Sequence, residues 1–306
     1  MSEIDLPAGL TSRPARLEDA QIVTDLFRAS EAVDEGAAEL TLEDVVSDWS
    51  QPSIDPTRDA RLVFDGDRLV ADAEVHVNHD EATVHPDARG RGIGSALLRW
   101  KERHLLEVAP GDIPLRLGQS INERATDAIS MFRAHAYEHE YMAWQLRLPP
   151  EITIEHPPLP DGVSIRPFVP GREEHVVYRL VEDAFEEWKG RLPRSFEDWK
   201  ATALARSDFD PSLLLVAVEG EDVVGTAVGL AYPAEGLLYQ LAVRRDRRGR
   251  GIATALLRAS FDALRARGVP EVGLATDSRA GAIGLYQRVG MVVRTTHLHW
   301  TKHIRD

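Results

Sequence analysis

The chain has 306 residues, 43% hydrophobic and 28% charged, roughly twice the length of an ordinary domain, so it reads as two folded domains with real cores. It has no cysteine, which excludes disulfides, thiolate metal sites, iron–sulfur clusters and cysteine nucleophiles. A net charge of −14 argues against general nucleic-acid or anionic-membrane binding, and no run of about 18 uncharged apolar residues or leader-like start is present, which points to a soluble cytoplasmic protein.

The charge is uneven. Residues 1–150 hold 15 Lys+Arg against 28 Asp+Glu and the remainder 21 against 22, so an anionic ligand would prefer the second half. The chain also repeats itself: ARGRGIGSALLR (88–99) matches RRGRGIATALLR (247–258) at an offset of 159, and Arg13-Pro14 answers Arg166-Pro167. Between the halves, Pro149, Pro150, Pro157, Pro158 and Pro160 forbid a helix and favour an extended connector. The expected domains are residues 1–150 and 164–306, joined by a linker at 151–163.

In the second half, SIRPF (164–168) reads as a strand and 173–188 as an amphipathic helix. LLLVAV (213–218) and VVGTAVGLAY (223–232) pair around an acidic turn, and LLYQLAV (237–243) is a third strand. Ile252, Ala255, Leu256 and Ala259 then form an apolar helix face, followed by the strand EVGLAT (271–276), a helix through Ala282, Leu285, Tyr286 and Val289, and a closing strand at 292–303. The class is α/β with mixed sheets.

The most specific signal is the loop Arg248-Gly249-Arg250-Gly251-Ile252-Ala253 between strand and helix. Glycines let the backbone approach a ligand closely, and a helix start offers unpaired N–H groups at a positive dipole end, a natural seat for a diphosphate. Arg244, Arg245, Arg247, Arg248 and Arg250 add positive charge. The first half repeats the loop as Arg89-Gly90-Arg91-Gly92-Ile93-Gly94, following Val84. RNA-binding Arg-Gly repeats are disfavoured because an apolar-periodic helix follows each copy.

These two loops, with the helix and glycine turn in AIGLYQRVGM (282–291), resemble the acetyl-CoA signature of the GCN5-related N-acetyltransferase (GNAT) family, in a tandem form similar to mycothiol synthases. The resemblance implies two tandem GNAT-like domains, each a mixed, mostly antiparallel sheet with splayed parallel central strands flanked by helices. It implies acetyl-CoA as donor, held by Leu241, Ala242, Val243 and the loop through Thr254, with a second candidate cofactor site at Val84 and Arg89 to Gly94. Its tyrosine falls on Tyr286, a candidate acid for the departing thiolate. In the first half that position is Phe132, which has no proton to give, so catalysis is expected in the second domain and the first is expected to be a degenerate copy. The early-strand glutamate of mycothiol synthases falls on Leu237, which leaves Glu235, or a water positioned by Gln240, as candidate base.

An alkyl amine with a pKa of about 10.4 is only about one part in two thousand neutral at pH 7, so some group must take its proton. Backbone N–H groups near Leu241 could polarise the thioester carbonyl. The acceptor is expected to be the primary amine of a small molecule, met by Glu186, Glu187 and Trp188 in an acidic, aromatic-walled cleft; the same stripe also fits two ordinary packed helices. A CoA-binding sensor without turnover and a protein acetyltransferase are the competing readings. His297, His299 and His303 lack a neighbouring carboxylate in the sequence, and no metal is expected. A monomer or homodimer is expected.

Overall fold

A computed structural model describes residues 3–76, 79–109, 111, 113–156, 158–187, 191–232 and 234–305, with only the backbone of His79. The first half contains β1 (Leu10–Pro14), α1 (Ala20–Asp34), α2 (Leu42–Trp49), α3 (Pro56–Asp59), β2 (Ala60–Asp65), β3 (Arg68–His76), β4 (His79–Val84), α4 (Ile93–Val108), β5 (Leu115–Asn122), α5 (Thr126–Ala134) and β6 (Glu138–Leu148). The second contains β7 (Val163–Pro167), α6 (Glu174–Phe185), α7 (Phe196–Ala203), β8 (Leu214–Glu219), β9 (Asp222–Ala231), β10 (Gly236–Val243), α8 (Ile252–Arg265), β11 (Val272–Asp277), α9 (Ile283–Arg288) and β12 (Val292–Arg305). The helix–strand alternation read from the sequence is the one observed.

The compact units do not follow the expected boundaries. One comprises Met1–Met142 with His297–Asp306, the other Ala143–Thr296. The reason is strand pairing. Residues 143–148 of β6 run antiparallel to β11, with Leu148 opposite Val272, whereas His297 to Arg305 of β12 run antiparallel to β5. Each half thus lends its last strand to the other unit's sheet. Leu146 and Leu148 are buried in the second unit's core, and Trp300 is buried in the first beside Phe132 and Leu117.

In the first unit, β1 to β4 form an antiparallel meander, and β5 pairs with β12. α4 packs Ile93, Leu97 and Trp100 on one face; α1 and α2 pack Val23 and Trp49 against Leu62 on the other. In the second unit the strands run β6, β11, β10, β9, β8, β7. Leu256, Leu257, Phe261 and Leu264 of α8 cover one face, and Val177, Val181 and Trp199 of α6 and α7 cover the other. Burying those side chains removes apolar surface worth about 1.5–3 kcal/mol per large side chain, which is why the 3.6-residue spacing was readable.

Local chemistry repeats with the sequence. Arg13 makes a two-pronged bond to Asp19 at 2.7 and 2.7 Å, and Arg166 does the same to Glu173 at 3.0 and 2.7 Å. The Pro-rich segment is free of helix where described, but it is docked on the second unit. Ile152 and Ile154 pack against that core, and Arg265 donates to the carbonyls of Ile152 (2.9 Å) and Pro149 (3.1 Å). Pro157 lies outside the described residues.

Candidate active site

β10 and β11 run parallel but pair only at their beginnings, through Gly236↔Val272, Leu237↔Gly273 and Leu238↔Leu274. Against β9 the register shifts between Leu238 and Gln240, making Tyr239 the extra residue of a bulge. A bulge bends and twists its strand, and here it lies where β10 leaves β11. Backbone groups of β10 beyond it therefore face a gap instead of a ladder. A cleft of about 570 Å³ occupies this place.

Leu241, Ala242 and Val243 line the cleft from β10. Arg248, Gly249, Gly251, Ile252, Ala253 and Thr254 line it from the loop and the first turn of α8. Gly251 is the N-cap of α8 with φ 86°, and Gly249 has φ 76°. Both angles are left-handed, which other residues adopt only at a cost, and a Cβ at either position would meet nothing within 4 Å. The glycines therefore serve the turn and leave the space in front of it open. With no side-chain cap, the first amides of α8 have no partner within the helix, and the dipole's positive end is presented to the cleft.

The arginines are less available than the sequence suggests. Arg248 is held by Val243 O (3.0 Å) and both oxygens of Glu187 (3.0 and 2.8 Å). Arg247 and Arg250 share Glu219 at 2.6 and 2.8 Å, and Arg244 binds Asp246 at 2.7 Å. These bonds hold Glu187 and Glu219 below the usual carboxylate range. Such exposed pairs are screened by water and contribute little, so an entering anion can exchange them. Arg250 does not line the cleft, whereas Arg288, missed in the sequence, does.

Tyr286 lines the cleft from α9 and is 8% exposed. Burial raises its phenol above the ordinary value, opposed by a bond to the Thr276 side chain, so the ring carries its proton at neutral pH. In the first unit Phe132 is buried edge-on to Tyr137.

Other sequence candidates fall elsewhere. Glu235 does not line the cleft; its carboxylate is paired with the buried guanidinium of Arg147 on β6 at 2.6 Å. Glu187 lines the cleft but is engaged by Arg248, and Glu186 is exposed at the end of α6, away from the lining. Trp188 lies outside the described residues. Phe196 and Trp199 belong to the core packed on Val177 and Val181, so the aromatic spacing there marks a helix stripe. Gln240 lines the cleft, and the Trp199 indole N–H donates to its Oε1 at 3.0 Å, a contact the sequence did not reveal. His297 is bonded to Glu35 at 3.0 Å and His299 to Ser120 at 3.0 Å.

A parted parallel pair opening onto bare helix amides is what the sequence resemblance requires, and comparison with known proteins agrees. The model of the "Acetyltransferase (GNAT) family" matches residues 175–291. A mycothiol acetyltransferase of Thermobispora bispora is 31% identical over 245 residues, covering 75% of this chain and 78% of that one. The chain belongs to the GNAT acetyltransferase family. Among solved structures, a GCN5-related N-acetyltransferase from Sphaerobacter thermophilus superposes with TM-score 0.79 at 33% identity over 98% of both chains. A tandem GNAT protein from the clavulanic acid biosynthesis pathway shares the fold at TM-score 0.71 and 18% identity, covering 97% of this chain and 99% of that one. The protein is thus a GNAT enzyme, an acyltransferase in tandem form. Among the described residues, no helix is long and apolar enough to cross a membrane.

Proposed function

We propose that this GNAT enzyme transfers the acetyl group of acetyl-CoA to the primary amine of a small molecule, and that the second unit performs the reaction. One observation carries the reading: the β10–β11 gap opens at the Tyr239 bulge and lies beside the uncapped start of α8. The gap suits a narrow, amide-bearing arm and the helix start suits a diphosphate. The donor supplies a thioester carbon, which the amine nitrogen attacks; the C–S bond then breaks and leaves an amide and a thiol.

Each residue's part follows from its placement. Amides of Ile252, Ala253 and Thr254 bind phosphate oxygens, and Arg247, Arg248 and Arg288 can turn to add charge. Backbone N–H groups near Leu241 stabilise the developing oxyanion. Tyr286, kept protonated by burial, donates its proton to the leaving sulfur and regains one from the second proton that the nitrogen sheds as the amide forms. Glu235 is an unsuitable base because Arg147 holds it outside the lining. Gln240 cannot take a proton, so its amide, fixed by Trp199, positions a water that receives the ammonium proton and passes it to solvent.

The relatives' name makes the amine precursor of mycothiol the first acceptor to test. Release of CoA from acetyl-CoA should rise with at least one member of an amine panel and fall sharply in Tyr286→Phe. No acceleration by any amine would refute the proposal.

A further inference from the structure

Resting on that reading, we propose that the first unit has closed its own copy of the cofactor gap with its own side chains, so that the chain takes one coenzyme A molecule, in the second unit.

The two copies can be compared residue for residue. Arg248 Nε donates to Val243 O at 3.0 Å, and Arg89 Nε donates to Val84 O at 3.3 Å, both partners displaced by the same 159 positions. At that offset Ala82 stands for Leu241, Asp80 for the bulged Tyr239, and Lys101 for Ser260. The loops also agree, since Gly90 and Gly92 have φ 75° and 82°.

The gaps differ. β4 pairs with β3 one for one from Ala71↔Val84 to His76↔His79, with no bulge. Asp80 reaches across to β5, where its Oδ2 accepts from the Gly118 N–H at 2.6 Å. Its Oδ1 lies 2.5 Å from Nζ of Lys101, which descends from α4 and is 0% exposed. Gln119 completes the bridge, its Nε2 donating to Ala82 O at 2.8 Å and its Oε1 accepting from Lys101 at 3.5 Å. The carbonyl at the position of Leu241 is therefore already bonded by the unit itself. A ligand entering here would have to break that bond and part a largely buried ion pair, which is strongly unfavourable.

The mouth differs as well. A Cβ at Gly92 would lie 3.7 Å from Pro7, whereas nothing stands within 4 Å of the corresponding point at Gly251. At Gly94 the added atom would lie 2.7 Å from the sulfur of Met131. Ala253, at that position in the second unit, lines the open cleft.

The test uses the full wild-type chain and coenzyme A. Native mass spectrometry should show one bound CoA at saturation, and hydrogen exchange of the same complex should slow amides at 249–254 while leaving 90–95 unchanged. A second saturable adduct, or protection at 90–95, would overturn the proposal while leaving the second unit's role intact. A protein that takes up no CoA would overturn the cofactor reading itself, and this inference with it.

Discussion

Trp199 and Gln240, 41 residues apart, are joined by an indole N–H bond of 3.0 Å that crosses from α7 to the open part of β10. The indole occupies the amide's oxygen, so Gln240 offers its NH₂ to whatever enters the cleft. Trp199 is also core, packed with Phe196, Val177 and Val181, and the amide is therefore fixed to a rigid element. Gln240→Ala should lower kcat/KM for the amine about tenfold, equivalent to about 1.4 kcal/mol, with KM for acetyl-CoA unchanged. Steady-state kinetics with each substrate varied in turn will show it; an equal loss for both substrates would contradict a role on the acceptor side.

Tyr286 supplies the pH test. Burial raises its phenol above the ordinary tyrosine range, so the proton assigned to the leaving sulfur is present throughout the neutral range and is lost only as pH rises beyond about 10. The rate should show no descending limb from this group below that pH. Tyr286→Phe should reduce kcat about 100-fold, the lower end for general acid catalysis because a thiolate already leaves fairly well. A wild-type rate in Tyr286→Phe would remove the phenol from the mechanism.

Glu235 is expected to act on stability. Its carboxylate and Arg147 are both buried, and removing one partner of such a pair costs about 3–5 kcal/mol. Glu235→Gln should lower Tm by about 10 °C, at about 2–4 °C per kcal/mol for a unit of this size, while kcat per folded molecule stays within about twofold. Thermal melts alongside active-site titration separate the two effects. A large loss of kcat at unchanged Tm would restore Glu235 as the base.

The exchanged strands predict how the chain can be divided. A fragment of residues 1–150 lacks the strand carrying Trp300, and one of residues 164–306 lacks Leu146 and Leu148. Neither fragment should unfold cooperatively alone, and mixing the two should restore a cooperative transition. Two independently stable fragments would contradict the strand exchange.

The glycine loop was legible in the sequence because its requirements are local. Gly249 and Gly251 must adopt left-handed angles within one turn, and the apolar spacing that follows marks the helix. Tyr286 was legible for the same reason, lying on a short periodic segment. What escaped depends on partners distant in the chain. Glu187 reads as a free acid until Arg248, 61 residues on, is seen to hold it. Glu235 reads as a strand-edge base until Arg147 arrives from β6. The strand exchange was hidden because two antiparallel strands of similar pattern can complete either sheet, and alternation along a strand does not name its neighbour. The bridge of Asp80, Lys101 and Gln119 joins three elements and leaves no periodic trace.

The most direct test is a crystal structure of the protein soaked with acetyl-CoA. The diphosphate should lie within hydrogen-bonding distance of the Ile252, Ala253 or Thr254 amides, the arm should run between β10 and β11, and the acetyl oxygen should face the β10 backbone near Leu241. Density at another place on the second unit, with the loop at 248–254 bare, would contradict the account.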